Sequence, residues 1–401
     1  MSEPTGCVVS GGGPAGLMFG VLLARAGVAV TVLEKHADFL RDFRGDTIHP
    51  STMEVMAELG WLDEFLRLPH EKVSRMTMQF GTERLVMADL SKLPVRAPYI
   101  AMMPQWNFLN FLAEKGRAMP SFRLLMRAEA TGLLVEDGQV VGLRARTTDG
   151  EQEFRAQLTV AADGRGSVLR EAAGLEVEDF GAPMDVLWFA LPRESGDTAE
   201  TQGRIDAGRV FIMLNRGDYW QCAYVIAKGR DAEIRRQGLA VFRDGLRPLL
   251  PVAASRADAI ESWDQVKLLT VQVNRAKRWW RAGFLAIGDA AHAMSPIGGV
   301  GVNLAVQDAV AAANGLAEPL LRGKLEDGHL AAVESRRMFP TRATQRLQLL
   351  MQRNLIAPAL SEAGLARPPL LVRLLTRVPL LNRIPARLLG LGFRPEHLRT
   401  P

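Results

Sequence analysis

A glycine-rich stretch near the start of the chain limits the possible folds more than any other feature. The apolar residues 7–9 are followed by GGGPAG at 11–16, and an apolar-periodic segment then runs to Ala26. Gly27 interrupts that segment, and residues 28–33 are again apolar and strand-like. A strand, a G-x-G-x-x-G turn, a helix and a second strand form the βαβ unit of dinucleotide-binding folds. The sequence therefore predicts an α/β fold.

Each conspicuous residue of this unit has a role in holding a dinucleotide. Gly11 permits the tight turn, Gly13 lets the backbone approach a pyrophosphate, and Gly16 lets the helix pack closely on the strand. The helix N-terminus offers free N–H groups and the positive end of its dipole. Glu34 can accept hydrogen bonds from both hydroxyls of an adenosine ribose, and it disfavours a 2′-phosphate. This loop alone does not separate FAD from NAD.

Two further turns also follow apolar, strand-like runs. Residues 158–162 lead into DGRGSVLR at 163–170, and residues 284–287 lead into GDAAHAMSPIGGVGVN at 288–303. In the second turn, Pro296 and the glycines after it allow the backbone to lie flat against a ring, where a Cβ would collide. The next helix directs its positive end at that ring. One extended ligand held at both ends explains why the chain has two glycine-rich devices.

In order and approximate spacing, these three turns resemble the fingerprints of class A FAD-dependent monooxygenases. That family includes para-hydroxybenzoate hydroxylase and the ubiquinone-biosynthesis hydroxylases. A fourth segment, RGDTIHPSTMEVMAELG at 44–60, resembles the family's arginine loop and following helix, so the resemblance spans residues 6 to about 316. It implies a Rossmann-like FAD-binding domain, an inserted antiparallel-sheet substrate domain and a helical C-terminal region.

Changes of pattern along the chain support this division. From 185 to 227 the apolar residues alternate with a period of two, as in antiparallel strands. From 341 onward the chain is rich in leucine and arginine and is broken by prolines. The predicted domains are a discontinuous FAD-binding domain (1–72, 98–180, 275–340), a substrate domain (73–97, 181–274) and a helical C-terminal cap (341–401).

The resemblance also implies a set of cofactor-binding residues. Glu34 is expected at the adenosine ribose and Asp289 at the ribityl chain, while Arg44 and Gln105 would also contact the cofactor. Asp163 is associated in the family with FAD and with productive use of NAD(P)H. The complete expected set is Gly11, Gly13, Pro14, Ala15, Gly16, Glu34, Lys35, Arg44, Gln105, Asp163, Gly164, Gly288, Asp289, Pro296, Gly299, Val300, Gly301, Val302 and Asn303.

A substrate pocket is expected between the flavin ring and the middle sheet. Few polar candidates and a leucine-rich tail favour a bulky, lipophilic aromatic substrate. No catalytic side chain is assigned, because the flavin carries the chemistry, and His292 and His49 are interpreted as structural. The tyrosine pair that deprotonates the phenol in para-hydroxybenzoate hydroxylase has no counterpart that can be mapped. The candidate lining residues, for which core packing is the alternative, are Trp188, Phe211, Met213, Gln221, Tyr224, Pro296 and Ile297.

The resemblance implies a reaction in which NADH or NADPH docks transiently, reduces FAD and leaves. O₂ then forms a C4a-hydroperoxyflavin, which hydroxylates the aromatic substrate. Two alternatives stay open, namely a reductase of the geranylgeranyl type and a flavin-loaded protein that sequesters a reactive intermediate. A flavin-dependent halogenase is disfavoured because Trp279-Trp280 does not fit the W-x-W-x-I-P pattern.

Composition limits which binding partners and which cellular compartment are expected. The net charge of +5 comes without a dense basic block interleaved with aromatics, which argues against nucleic-acid binding. Two cysteines give no disulfide framework, and no metal site is expected. No signal peptide and no apolar run of about 18 residues is visible, so the sequence predicts a cytoplasmic protein. The basic tail predicts a solvated helical cap or, alternatively, an element that touches anionic membranes. The oligomeric state stays open.

Overall fold

The structure is a computed structural model and describes residues 5–40, 46–197, 200–206, 208–361, 364–365, 367–378 and 381–399. The strands are β1 Thr5–Ser10, β2 Val30–Glu34, β3 Thr47–Ile48, β4 Glu71–Val73, β5 Arg75–Phe80, β6 Glu83–Asp89, β7 Ile100–Met102, β8 Phe122–Met126, β9 Glu129–Glu136, β10 Gln139–Thr147, β11 Gly150–Ala161, β12 Val177–Asp179, β13 Met184–Pro192, β14 Gln202–Asp206, β15 Arg209–Asn215, β16 Tyr219–Ala227, β17 Lys267–Leu269, β18 Asn274–Ala276, β19 Trp280–Arg281, β20 Phe284–Ala286 and β21 His292–Ala293. The helices are α1 Pro14–Arg25, α2 Pro50–Glu58, α3 Leu62–Phe65, α4 Gln105–Arg117, α5 Val168–Ala172, α6 Asp231–Gln237, α7 Leu239–Leu246, α8 Gly301–Leu321, α9 Asp327–Met351, α10 Ala357–Ala359, α11 Leu370–Arg377 and α12 Arg383–Gly390, with a π-helical turn at Gln352–Ile356 between α9 and α10.

A parallel sheet brings the three predicted turns together. Its strands follow the order β19-β20-β11-β1-β2-β8, and β1 runs parallel to both β2 and β11, while β11 runs parallel to β20. Every residue of β2 is buried, as expected for a strand covered on both faces. The carboxyl ends of parallel strands share one edge of a sheet, where ligands bind. The glycine loop, Glu34, Asp163 and Asp289 therefore meet at that edge, which confirms the predicted α/β architecture.

A second sheet has the strand order β17-β13-β16-β15-β14-β5-β6. Its strands come from residues 75–89 and 184–269, within the ranges predicted for a substrate domain, whose boundaries stay a prediction. Most pairs are antiparallel, but β14 and β5 run parallel, so the sheet is mixed rather than purely antiparallel. One face packs on α7 through Phe242 and Leu246. The other face is open toward a cavity.

The C-terminal region is helical, as predicted, but it is more than an outer cap. Leu355 and Ile356 in the π-helical turn belong to the same buried cluster as Val186 and Val210 of the second sheet. Within the described residues, no helix combines the length and apolar character needed to cross a bilayer. The tail therefore forms part of the wall that separates the second sheet from solvent.

A buried charge network holds the last described segment against the core. The Glu396 carboxylate lies 2.7 Å from Arg336 Nε and 3.2 Å from Arg337 Nη1. Arg337 Nε in turn lies 2.8 Å from Asp308 on α8, and Asp308 contacts His292 Nε2 at 2.5 Å. A buried charge is stable only when it is paired, so this chain of charges fixes residues 381–399 against α8 and α9.

Candidate active site

A cavity of about 1710 Å³ runs from the carboxyl edge of the parallel sheet to the open face of the second sheet and the tail helices. A single small-molecule site occupies roughly 300–1,000 Å³. The cavity therefore has room for two ligands, one along the parallel-sheet edge and one against the second sheet.

The glycine loop forms a cradle at one end of the cavity. A Cβ on Gly11, whose φ is +105°, would lie 2.3 Å from the Ala162 carbonyl oxygen, and a Cβ on Gly16 would lie 2.0 Å from the Gly11 carbonyl oxygen. A Cβ on Gly13, by contrast, would meet no protein atom within 4 Å. Helix α1 begins at Pro14 without a side-chain cap, so the N–H groups of its first turn stay available. Packing explains Gly11 and Gly16, whereas the backbone at Gly13 borders open space in the cavity.

Glu34, the residue expected at the adenosine ribose, lies at the same end of the cavity. The Gly12 and His36 N–H groups donate to its two carboxylate oxygens, each at 3.0 Å. These bonds fix the orientation of the carboxylate. Lys35 also lines the cavity there and is exposed. The structure thus brings Glu34 and Lys35 to the end of the cavity beside the glycine loop.

The Asp163-Gly164 turn faces the middle of the cavity. Burial raises the pKa of Asp163, and Arg170 opposes that shift. Asp163 Oδ1 is buried and, within the described part of the chain, has no hydrogen-bond partner. Arg170 also ties this turn to the next one, because its guanidinium donates to the Ala290 carbonyl at 3.0 Å. A buried polar atom without a partner among the described residues marks a position where a ligand or a water can bind.

The Gly288-Asp289 turn is pressed against the first turn of α1. A Cβ on Gly288 would lie 2.9 Å from Ala15 Cβ, so this close approach requires glycine. Asp289 lines the cavity and lies 3.4 Å from Arg165 Nε. The carboxylate keeps lone pairs free for a ligand hydroxyl, which fits the ribityl contact expected for Asp289.

The loop from Pro296 to Val300 corrects one detail of the prediction. Gly299 has a φ of +63°, and a Cβ there would lie 2.5 Å from Thr47 Oγ1 rather than face open space. Thr47 Oγ1 donates a hydrogen bond to the Gly299 carbonyl at 2.8 Å. A Cβ on Gly301, however, would meet nothing within 4 Å. Gly299 is therefore required by its backbone conformation and by Thr47, whereas the backbone at Gly301 borders open space.

The N-terminus of α8 supplies donors to the cavity. No side chain caps it, so the N–H groups of Gly301, Val302 and Asn303 point along the helix axis toward the loop. The Asn303 side chain is fully engaged, because its Oδ1 accepts from the His49 N–H at 2.8 Å and from Thr52 Oγ1 at 2.7 Å. Asn303 can therefore reach a cofactor only through its backbone.

A buried polar cluster at the cavity wall was missed in the sequence. Arg216 is 3% exposed, its Nη2 lies 3.0 Å from Asp46 Oδ2, and its Nε donates to Gln221 Oε1 at 2.7 Å. Burial lowers the pKa of Arg216, and the Asp46 charge opposes that shift. Gln105 joins the cluster because its N–H donates to Asp46 Oδ1 at 3.2 Å. The turn NRGD at 215–218 gave no functional signal, and Arg44 lies outside the described residues.

The structure divides the predicted substrate-pocket residues into two groups. Trp188, Gln221, Pro296 and Ile297 line the cavity. The other three lie on the opposite face of the second sheet, where their side chains pack with Phe242. Side chains alternate between the two faces of a strand, so the prediction is wrong by one residue for two positions on β15 and for one position on β16. The misplaced residues are Phe211, Met213 and Tyr224, and their cavity-lining neighbours are Val210, Ile212, Leu214, Ala223 and Val225.

The tail helices complete the apolar wall opposite the second sheet. None of the three tyrosines of the chain lines the cavity, so no tyrosine is placed to deprotonate a phenol there. Sequence reasoning missed the tail residues, although the strong amphipathic pattern of α11 and α12 indicated one buried side. The tail residues at the cavity are Leu347, Met351, Leu355, Val372, Leu375, Leu388, Leu389 and Phe393.

The two buried histidines have structural contacts outside the cavity. His292 lies 2.5 Å from Asp308 and packs against Trp279. Burial lowers the pKa of His49 to about 4, so its ring is neutral near pH 7 and Nδ1–H donates to the Leu389 carbonyl at 2.7 Å. These contacts support the structural interpretation of both residues.

Comparison with known proteins agrees with this geometry. Residues 5–347 match the family described as FAD binding domain. The 6-methylpretetramide 4-monooxygenase of Streptomyces rimosus is 33% identical over 355 residues, which are 88% of this chain and 84% of that protein. The rifampicin monooxygenase of Streptomyces venezuelae is 29% identical over 307 residues, which are 75% of this chain and 62% of that protein.

A solved structure shares the whole architecture. The anhydrotetracycline hydroxylase OxyS of Streptomyces rimosus matches with a TM-score of 0.78 and 24% identity, covering 98% of this chain and 77% of that chain. That likeness shows the fold, and the sequence matches show the family. The chain belongs to the FAD-dependent monooxygenases of the class A type.

Proposed function

We propose that this monooxygenase uses NADH or NADPH and O₂ to hydroxylate a bulky, lipophilic aromatic compound. The observation that carries the proposal is the continuity of the cavity, which joins the loop at 296–301 to an apolar chamber walled by the second sheet and the tail. The chamber is large, and its sheet wall is built mainly from methionine, valine, leucine and isoleucine side chains. Relatives named for 6-methylpretetramide and rifampicin are consistent with a large substrate.

The residues at the parallel-sheet edge fit FAD as the group that this chain holds. Gly13 and Gly301 leave open space, Glu34 faces the ribose end, and Asp163 and Asp289 present carboxylate oxygens in between. Bound FAD supplies the electron transfer from the nicotinamide and the activation of O₂. The positive end of α8 favours negative charge on the ring beside Gly301.

The chain's own contribution is binding, orientation and exclusion of water. The apolar chamber walls keep water away from the reacting atoms. Trp188 lines the cavity, and its buried Nε1 has no acceptor among the described residues, so we propose that it donates to a substrate oxygen. Arg216 fixes Gln221 at the same wall. These two polar groups would orient an otherwise apolar ring system.

The proposal is tested by measuring NADH and NADPH oxidation, O₂ uptake and peroxide release with FAD-loaded protein and a panel of polycyclic phenols. Oxidation that is stimulated by a phenol, with hydroxylated product and little peroxide, is the expected result. Nicotinamide oxidation without O₂ uptake would instead identify a reductase, and bound FAD that no nicotinamide reduces would identify a sequestering protein.

The cofactor contacts are tested separately. We expect Asp289→Ala to purify with a much lower FAD content than the wild type, because Asp289 is placed to accept a ribityl hydroxyl. Asp149→Ala is the matched control, since Asp149 lies on an exposed turn. Equal FAD occupancy in the two variants would contradict the role assigned to Asp289.

A further inference from the structure

Helix α11 turns its most apolar side chains to solvent. Leu370 is 81% exposed, Leu371 is 59% exposed and Leu374 is 49% exposed. Residues at i and i+4 lie on the same helix face, so Leu370 and Leu374 form one ridge with Leu371 beside it. Isolated exposed leucines are common on protein surfaces, but a contiguous ridge on one short helix indicates a contact surface.

The other faces of α11 are occupied. Val372 and Leu375 line the cavity on the inner side. Arg373 and Arg377 lie on one flank of the ridge, where both contact Glu83, at 2.7 and 2.6 Å. The leucine ridge is therefore not needed to anchor the helix, which already has a partly buried face and an ionic flank.

Helix α12 adds positive charge to the same region, since α11 and α12 both pack against β6. Arg383 and Arg387 lie on adjacent turns of its exposed face. Residues 364–394 contain six arginines and no aspartate or glutamate, so Glu83 offsets only part of the charge. Apolar side chains next to arginines form the pattern of elements that lie in the interface of an anionic membrane.

The cavity opens to solvent within this surface. Leu350, Leu371 and Ile384 all line the cavity and are also exposed, at 53%, 59% and 45%. Residues that are both lining and exposed mark a mouth. A second such place, at Lys35 and His36, lies at the ribose end. The apolar mouth is therefore at the substrate end, and its rim consists of the same leucine-rich helices.

We propose that α11 and α12 dock on an anionic lipid bilayer and that the mouth between Leu350, Leu371 and Ile384 faces the lipid. The second part rests on the proposed function, because a lipophilic substrate could then pass from bilayer to chamber without crossing water. A second copy of the chain is a poorer occupant. A symmetric dimer through this surface would bring arginines against arginines.

Binding is tested with FAD-loaded protein and vesicles of phosphatidylcholine, with or without phosphatidylglycerol, by co-sedimentation. We expect binding to the anionic vesicles only, and weaker binding at high salt, because salt screens the arginines. Leu370→Ser with Leu374→Ser should lower the affinity at least about tenfold through lost apolar burial. The matched control is Val241→Ser with Leu321→Ser, since both residues are exposed and lie outside the ridge.

Insertion of the ridge is tested by fluorescence. Cys7 and Cys222 are fully buried, and burial raises the pKa of both thiols, so an environment-sensitive fluorophore will label only an introduced cysteine. The fluorescence emission of labelled Leu374→Cys should shift to shorter wavelength when anionic vesicles are added, and the emission of labelled Leu321→Cys should not.

Several results would overturn the proposal. They are no vesicle binding by the wild type, equal binding by the Leu370→Ser, Leu374→Ser variant, and a dimer in solution that the same variant abolishes. Selective binding to an acidic protein in place of vesicles would also overturn it. None of these measurements requires turnover, so a failed docking surface is distinguishable from a failed hydroxylase assignment.

Discussion

The two ends of the cavity are built in different ways. At the parallel-sheet edge, the cavity walls are formed mostly by backbone, from tight turns and uncapped helix N-termini at 11–16 and 298–303. At the second sheet, side chains form the walls, and they come from strands and tail helices that are distant in sequence. One end is shaped for a single invariant cofactor, and the other end can change its shape by side-chain substitution alone. The predictions below test this contrast.

Gly13→Val should have the largest effect. A Cβ at this position meets no protein atom within 4 Å, so the protein should fold normally, but the valine side chain occupies the place proposed for the pyrophosphate. We expect FAD to bind at least about 1,000-fold more weakly, or about 4 kcal/mol, measured by titration of the apoprotein. Gly132→Val is the matched control, because that glycine also faces open space but lies on a strand outside the cavity. Normal FAD affinity in Gly13→Val would contradict the proposal that backbone at this end of the cavity holds the cofactor.

Arg216→Met tests the polar cluster where the two ends meet. It leaves the Asp46 carboxylate buried without its cation, which should lower the free energy of unfolding by roughly 3–5 kcal/mol. Adding Asp46→Asn should recover much of that loss, as measured by urea denaturation. Arg230→Met removes an exposed ion pair with Glu233 and should change stability by less than about 1 kcal/mol. An equally small effect for Arg216→Met would show that the cluster does not join the two ends.

His49 gives a pH dependence at the contact between α2 and the tail. Its folded pKa is about 4, below the usual value, because the ring is buried, so the unfolded chain binds the proton more tightly. Above about pH 6.5 the His49 ring is neutral in the folded and the unfolded chain, and the protein has its full stability. As the pH falls toward 4, the free energy of unfolding decreases by roughly 3 kcal/mol. His49→Asn should flatten this part of the stability curve, measured by urea denaturation between pH 4 and 7. An unchanged slope of stability against pH in His49→Asn would contradict the assignment of this pH dependence to His49.

Trp188→Phe should have the smallest effect, and it tests the end of the cavity whose walls are formed by side chains. Removing the unpartnered Nε1–H donor should raise KM for the substrate about fivefold, corresponding to about 1 kcal/mol, and leave FAD content unchanged. Trp279→Phe is the control, since its Nε1 is also unpartnered among the described residues but lies in the core outside the cavity. That variant should lower Tm without changing KM. A rise in KM for both variants would remove Trp188 from the site.

The same contrast explains what the sequence could predict. A glycine turn after a buried strand is a local signal, so the loops at 11–16, 163–164 and 288–303 were found and their meeting at one sheet edge was expected. Strand β15 is apolar on both faces, so the period of two did not show which face borders the cavity, and Phe211 and Met213 were chosen in place of Val210 and Ile212.

The remaining omissions are contacts between distant parts of the chain. Arg216 and Asp46 are 170 positions apart, and nothing in either segment signals the pairing. The amphipathic pattern of α11 and α12 predicted a buried side, but it carried no information about the chamber that this side covers. Long-range contacts of this kind follow from the fold and not from local pattern.

The charge network around Glu396 has a consequence for how the enzyme is made. Residues 381–399 supply one chamber wall, are held by Arg336 and Arg337, and are synthesised after every other segment that lines the cavity. A nascent chain can thus shape the cradle for its cofactor long before the chamber has its final wall.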